Sequence, residues 1–208
     1  MTIKNPHVAI VLAAGGSRRL GRAKQLLLTR DGETLVRRAA RLAAATRPLR
    51  LLLVTGAYAD QVRDAVAGLE VETVFNEGWD EGLASSLRLA ASVLEACDAP
   101  CLILGCDQPA LDQEHLRRLL EGAASAPSRC SATSHGNAPG IPAVVTAAVL
   151  REARNLEGDH GLRASLRRLS VATIHLLEAP ELRFDLDTPA DVEKAIIDGF
   201  LDPLTGAG

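Results

Sequence analysis

A chain of 208 residues with 47% hydrophobic and 24% charged side chains can bury a core of its own, and its balance is not that of a disordered segment. Its 23 basic and 26 acidic residues leave a formal charge of −3, which argues against nucleic acid or an anionic membrane as a partner held by bulk charge. Five aromatic residues in all (Tyr58, Phe75, Trp79, Phe184 and Phe200) leave Ala, Leu and Val to build the core and offer little to a base-stacking platform.

The first apolar run, residues 8–14, has strand length and ends in glycines. No run approaches the ~20 residues of a membrane span and no basic-then-apolar leader opens the chain, so the expected location is cytoplasmic. Residues 50–55, 71–75 and 101–106 are likewise continuous apolar runs, the pattern of strands covered on both faces. Segments 33–45, 60–69, 80–95 and 113–124 have helical composition and period. This alternation predicts an α/β chain with a doubly wound, mostly parallel sheet. Beyond residue 125 the rhythm loosens. Strands are expected at 128–134 and 141–146 around a turn-rich loop at 135–140, then at 171–177, followed by a short run at 183–187. A last helix runs from Pro189 to about Phe200, with Thr188 as its cap, Pro189 at the first position and Asp191 completing a capping box. Residues 202–208 should fray. Cys97, Cys101, Cys106 and Cys130 form no C-x-x-C pair, and the histidines never fall at H-x-x-x-H spacing, so a zinc site is not expected and the thiols read as small buried hydrophobes.

The most informative segment is Leu12-Ala13-Ala14-Gly15-Gly16-Ser17-Arg18-Arg19-Leu20-Gly21-Arg22-Ala23-Lys24, directly after the first strand. Small residues let backbone N–H groups approach a ligand, and consecutive N–H groups make an anion cradle. Arg18, Arg19, Arg22 and Lys24 add far more positive charge than a passive turn requires. The pattern is a polyphosphate cradle, yet Gly21-Arg22-Ala23 is not a Walker ending and Gly15-Gly16-Ser17 is not a dinucleotide fingerprint.

The same run resembles the L-A-A-G-x-S-x-R-x-G-x-x-K pattern of nucleotidyltransferases, and most closely that of the molybdenum cofactor cytidylyltransferases and their guanylyltransferase relatives. Four later segments resemble that family in the right order: residues 76–87, from Asn76 through Trp79 and Gly82 to Ser85-Ser86-Leu87; Asp107-Gln108-Pro109; Gly158-Asp159-His160-Gly161-Leu162-Arg163; and Asp185-Leu186-Asp187-Thr188-Pro189. The resemblance covers about residues 8–195. It implies a single Rossmann-like, three-layer nucleotidyltransferase domain over 1–208, with a nucleotide-binding half at about 6–124 and an acceptor-binding half at about 125–201.

The candidate residues carry physical readings of their own. Asp107 follows an apolar strand at the end where open α/β sheets place ligands, and a carboxylate there can hold Mg²⁺ against phosphate oxygens; the alternative, a helix cap, falls more naturally to Asp112. Asp185 and Asp187 point the same way on an extended segment and repel unless a cation or donors lie between them. The resemblance makes Asp185 a second metal ligand and leaves Asp187 to the acceptor or to the last helix. Ser85 and Ser86, early in a helix, either bind base or phosphate or cap the backbone. Arg163, in a glycine-flanked loop, suits a second anion. Gly140 and Pro142 belong to the acceptor side, where Ile141 stands in place of the polar residue often found in the family. His135 and His160 receive no role.

The mechanism implied is in-line transfer of a nucleoside monophosphate from a triphosphate to a phosphorylated acceptor, with no covalent intermediate. Backbone of Leu12, Ala13, Ala14, Gly15, Gly16 and Ser17 would contact base and phosphates, and Arg19 and Lys24 would neutralise the charge that develops. The Ala-Ala-Gly loop and Ser-Ser-Leu stretch favour CTP, and the acceptor implied is molybdopterin-type cofactor destined for a molybdoenzyme or its maturation chaperone. Two alternatives stand beside this: nucleotidyl transfer to another small phosphorylated acceptor such as a sugar phosphate, and a non-catalytic carrier of the molybdenum cofactor.

Overall fold

The computed structural model describes residues 6–136, 138–156, 158, 161–170 and 172–203. Its centre is a seven-stranded sheet: β1 (Val8–Ala13), β2 (Arg50–Thr55), β3 (Glu72–Phe75), β4 (Cys101–Gly105), β5 (Ser131–His135), β6 (Ala138–Val145) and β7 (His175–Leu177), in the order β3-β2-β1-β4-β6-β5-β7. Four of the neighbouring pairs are parallel, while β6 runs antiparallel to both β4 and β5. One mixed sheet therefore spans both halves of the chain.

The continuous apolar strands are covered on both sides. Along β1, Ala9, Val11 and Ala13 pack into one core, Val8, Ile10 and Leu12 into another, as the two-residue side-chain period of a strand requires. The first core is roofed by α1 (Leu35–Ala45) and α4 (Gln113–Ser125), which supply Val36, Ala40, Leu116 and Leu119, with Val62 from α2 (Ala59–Ala65). The second is roofed by α3 (Leu83–Val93) together with α5 (Ala147–Arg151) and α6 (Arg163–Arg168). A third, smaller cluster joins Leu20, Leu27 and Leu35 to Leu186, and to Val192 and Ala195 of α7 (Pro189–Ile197).

Local signals set the ends of these elements. Thr34 accepts from Arg37 N and starts α1, Asp112 and His115 form a capping box on α4, and Thr188, Pro189 and Asp191 open α7 as expected. Two short helices, α5 and α6, are new relative to the sequence reading. The helix expected from residue 80 begins at Leu83, because a 3-10 turn at Trp79–Glu81 and Gly82 at φ 100° come first. The expected loop at 135–140 is mostly strand: β5 runs to His135 and β6 starts at Ala138. The strand expected at 171–177 is confined to His175–Leu177, with Val171 outside the described residues. Part of the 183–187 run belongs to a 3-10 turn at Pro180–Arg183. Among the described residues no helix is long and apolar enough to cross a membrane.

Candidate active site

The C-terminal ends of β1 and β4 open into a cleft of about 570 Å³. Its floor is the glycine-rich turn, Leu12 through Arg19. That turn is held by its carbonyls. Buried Gln25 donates from Nε2 to Ala13 O (3.1 Å) and Gly15 O (2.6 Å), Ala57 N donates to Ala14 O (3.1 Å), and the Tyr58 hydroxyl donates to Gly16 O (3.3 Å). With four successive carbonyls fixed to the protein, the turn has one conformation in which to present its N–H groups. Ser17 sits at φ 48°, where its Oγ accepts from Lys24 N (3.2 Å) and its carbonyl accepts from Leu20 N and Gly21 N. Gly16 has to be glycine: a Cβ there would lie 2.7 Å from the Trp79 ring, which walls the cleft.

Charge is concentrated opposite this floor. Lys24 Nζ bonds Asp107 Oδ2 at 2.6 Å and Asp187 Oδ1 at 3.0 Å, while Arg19 bonds Asp187 Oδ2 at 2.7 Å. Burial lowers the Lys24 ammonium, but Asp107 and then Asp187 more than reverse this and hold it above the usual lysine value. Asp185 lies on the same side; burial first, and the Asp107 carboxylate second, push its carboxyl from 3.8 up to about 7. Leu186 N donates to Asp107 O (3.0 Å), which joins the segment carrying Asp185 and Asp187 to the turn after β4. His115, on the first turn of α4, steadies that segment through Glu181, with Nε2 at 2.7 Å from Oε1.

Two carboxylates crowded together at a strand end, one of them driven towards protonation, are a donor set that a hard divalent cation relieves. Among the described residues no group of three His, Cys, Asp or Glu has metal-binding geometry; Asp107 and Asp185 are the residues that could hold such a cation, with phosphate oxygens and water to complete its shell.

Most residues singled out in the sequence meet here. Leu12, Ala13, Ala14, Gly15, Gly16, Ser17, Arg19, Lys24, Ser86, Asp107, Gly140, Arg163, Asp185 and Asp187 all line the cleft. Two do not. Ser85 is turned inward, its hydroxyl donating to Gly82 O (2.8 Å) and accepting from Asn76 Nδ2 (2.7 Å), which is the backbone-capping alternative. Pro142 is buried with its carbonyl accepting from Thr133 Oγ1 (3.0 Å); the neighbouring Ile141 faces the cleft instead. Arg163 opens α6 rather than sitting in a loop. Asp159 and His160 lie outside the described residues. Sequence reasoning missed Gln25, which had no pattern to betray it although it directly follows Lys24; Trp79 and Gln108 were noted only as members of matching segments, and His135 was given no role.

A second cavity of about 400 Å³ adjoins the first across Leu12, Ile141 and Arg163, with Leu83, Leu87 and Leu162 making its walls aliphatic.

Comparison with known proteins agrees with this architecture. The MobA-like NTP transferase domain matches residues 9–173. Nicotine blue oxidoreductase of Paenarthrobacter nicotinovorans is 33% identical over 168 residues, 76% of this chain and 80% of that protein. A nucleotidyl transferase from Methanothermobacter thermautotroptrophicus superposes with a TM-score of 0.76 at 25% identity, covering 94% of this chain and 98% of that one. Rv0371C of Mycobacterium tuberculosis H37Rv, in a complex with manganese, superposes with a TM-score of 0.72 at 26% identity, over 91% of this chain and 97% of that one. With that match spanning most of its length and a nucleotidyltransferase of the same fold along nearly all of it, the chain belongs to the MobA-like NTP transferase domain family and is a nucleotidyltransferase.

Proposed function

We propose that the protein is a Mg²⁺-dependent cytidylyltransferase that transfers CMP from CTP to a phosphorylated acceptor of the molybdopterin type and releases pyrophosphate. The observation that carries this reading is the convergence of Arg19, Lys24, Asp107, Asp185 and Asp187 on one cleft floored by the Ala13-Ala14-Gly15 turn. A cation held by Asp107 and Asp185 supplies neutralisation of phosphate charge when bound. An oxygen of the acceptor phosphate attacks the α-phosphorus, the bond to the β-phosphate breaks, and its electron pair leaves on pyrophosphate. The attacking phosphate is already ionised at neutral pH, so no protein base is needed. Arg19 and Lys24 meet the departing charge, Ser86 and the turn hold the nucleotide, and Asp187, Gly140 and Arg163 border the acceptor. The Ala13 methyl packs into the core beneath the turn and Ala14 borders the cleft, leaving a floor that suits a pyrimidine better than a purine. The product would pass to a molybdoenzyme or to its maturation chaperone.

A second reading has one observation behind it: the relative sharing 33% identity is named for an oxidoreductase activity. Such a redox reaction would need an electron donor or acceptor supplied as a second substrate, and it would leave Arg19, Lys24 and Asp107 idle. The aliphatic walls argue less well for a polyhydroxylated sugar phosphate, and a pure carrier has no use for triphosphate charges. The test offers each of the four nucleoside triphosphates with Mg²⁺ in a thermal-shift screen, followed by transfer assays with molybdenum cofactor and with a sugar phosphate. CTP should stabilise most and CMP should appear on the molybdenum cofactor. Equal use of GTP would remove the cytidylyl assignment, transfer only to sugar phosphate would move the acceptor, and redox turnover of nicotine blue with an added electron donor or acceptor, without any transfer, would establish the second reading.

A further inference from the structure

His135 takes no part in the triphosphate chemistry, yet it lines the same cleft as Ile141 and Arg163. Its ring is fixed from two sides. Nε2 lies 3.2 Å from the Ile141 carbonyl, and a Cβ added at Gly140 would come within 2.5 Å of Cδ2 and 2.8 Å of Nε2. The glycine is the space in which the imidazole is seated, since any side chain at position 140 would drive the ring out. A carbonyl only accepts, so Nε2 carries the ring proton and Nδ1, on the edge away from Gly140, keeps its lone pair. Burial holds the imidazole below the usual histidine value; the bond to the Ile141 carbonyl opposes this, and the guanidinium groups of Arg163 on α6 and Arg183 in the adjoining 3-10 turn reinforce it. The same Ile141 carbonyl also accepts from Gln108 Nε2 at 3.2 Å, which connects the ring to the turn carrying Asp107. At position 141 itself the chain offers only an aliphatic side chain, so the polar group on this wall of the cleft comes from the neighbouring strand.

We propose that His135 is a specificity-determining residue for the acceptor, its Nδ1 accepting a hydrogen bond from an N–H on the edge of a flat heterocycle while Arg163 takes an anionic group of the same molecule. The inference rests on the transferase reading for its acceptor, and it refines that reading: the aliphatic walls at Leu83, Ile141 and Leu162 take the face of the ring, and His135 reads its edge. A ring presenting only acceptors along that edge would leave two lone pairs opposed and be rejected.

The experiment titrates pterin-6-carboxylate, a fluorescent flat ring with N–H donors and one carboxylate, into the intact protein and reads anisotropy at neutral pH and at about pH 5. Binding by the unmodified protein should weaken on acidification, because the protonated imidazole has no lone pair to offer. His135→Gln keeps a donor for the Ile141 carbonyl but nothing at the Nδ1 position; it should bind about tenfold more weakly at neutral pH and lose the acid dependence. His135→Asn, whose amide oxygen falls near the Nδ1 position, should recover most of the affinity, and it carries the comparison if the Gln variant does not fold. Equal binding by the unmodified protein and both variants overturns the proposal and leaves CTP transfer standing. No binding of the pterin by the unmodified protein overturns the proposal together with the acceptor class. Binding that follows the expected pattern in a protein that fails to turn over CTP supports His135 and removes the cytidylyl assignment alone.

Discussion

The two halves of the sheet are held together by different forces. Between β1 and β4 the strands are parallel and apolar on both faces, and Leu52, Ile103 and Leu104 are fully buried among aliphatic neighbours. In β5 three of the four buried positions, Ser131, Thr133 and Ser134, are polar beside the apolar Ala132, and each hydroxyl is committed: to Leu119 O at 2.6 Å, Pro142 O at 3.0 Å and Gly136 O at 3.0 Å. Burial is non-directional and tolerates any neighbour of suitable size, whereas each of these hydroxyls depends on one carbonyl in one place. The first half of the sheet is therefore a robust platform and the second a fitted one.

The largest effect expected concerns chemistry on the platform. Asp107→Asn should lower transfer by at least ~10²-fold, since a charge meeting the reacting phosphates is lost, while circular dichroism and the unfolding midpoint stay near those of the unmodified protein. Near-normal Mg²⁺-dependent turnover by a folded variant would return Asp107 to a structural role.

Next in size is the contrast itself. Leu104→Ala should cost about 3 kcal/mol in denaturant unfolding, the usual loss for a buried leucine, whereas Thr133→Val should cost about 1–2 kcal/mol by stranding the Pro142 carbonyl. A Thr133 variant as damaging as the Leu104 variant would mean that both halves depend on directed bonds, and the comparison would fail.

A third test uses pH. The Asp185 carboxyl is raised from 3.8 to about 7, so the folded chain binds more protons than the unfolded one between those values, and stability falls as pH rises through that window before levelling off. Asp185→Asn should flatten the slope in urea unfolding measured between about pH 5 and 8, and added divalent cation should stabilise the unmodified protein more at the alkaline end. A slope unchanged in the Asn variant would assign the pH dependence to another group. The smallest effect belongs to selectivity: Ala14→Gly should narrow a CTP over GTP preference of ~10 to 10²-fold in kcat/KM by several-fold, because a purine gains the room of one methyl group.

Legibility in the sequence follows the same division. The run at 50–55 became β2 residue for residue, the cap of α4 stood at Asp112, and the capping box of α7 formed at Thr188 and Asp191 as expected. These signals are local, set by a few adjacent side chains. In the second half of the chain, β6 extends back to Ala138 because it pairs with β5, across an irregularity between Ala132 and Thr133 that no periodicity could foretell. α6 starts at Arg163 without a side-chain cap and so had no sequence marker. The site shows the same split. Arg19, Lys24 and Asp107 were readable as charges beside glycines and strand ends, while Gln25, Gln108 and His135 act through carbonyls many residues away.

The third apolar cluster carries a consequence for how the chain matures. Leu20, Leu27 and Leu35, just beyond the glycine-rich turn, share one buried cluster with Leu186, Val192, Ala195 and Leu201, flanked by Phe184, Ile196 and Phe200, and an isolated bridge pairs Thr29 with Leu201. Contacts that span so much sequence are slow to form, and during synthesis they wait for their partner to leave the ribosome. A nascent chain released as far as β7 holds every strand of the sheet, yet Arg19 and Lys24 still lack Asp187, and Leu20, Leu27 and Leu35 lack the partners that α7 brings. The cleft is thus the last part of the molecule to be completed, and binding competence should report on the finished chain rather than on the folded sheet.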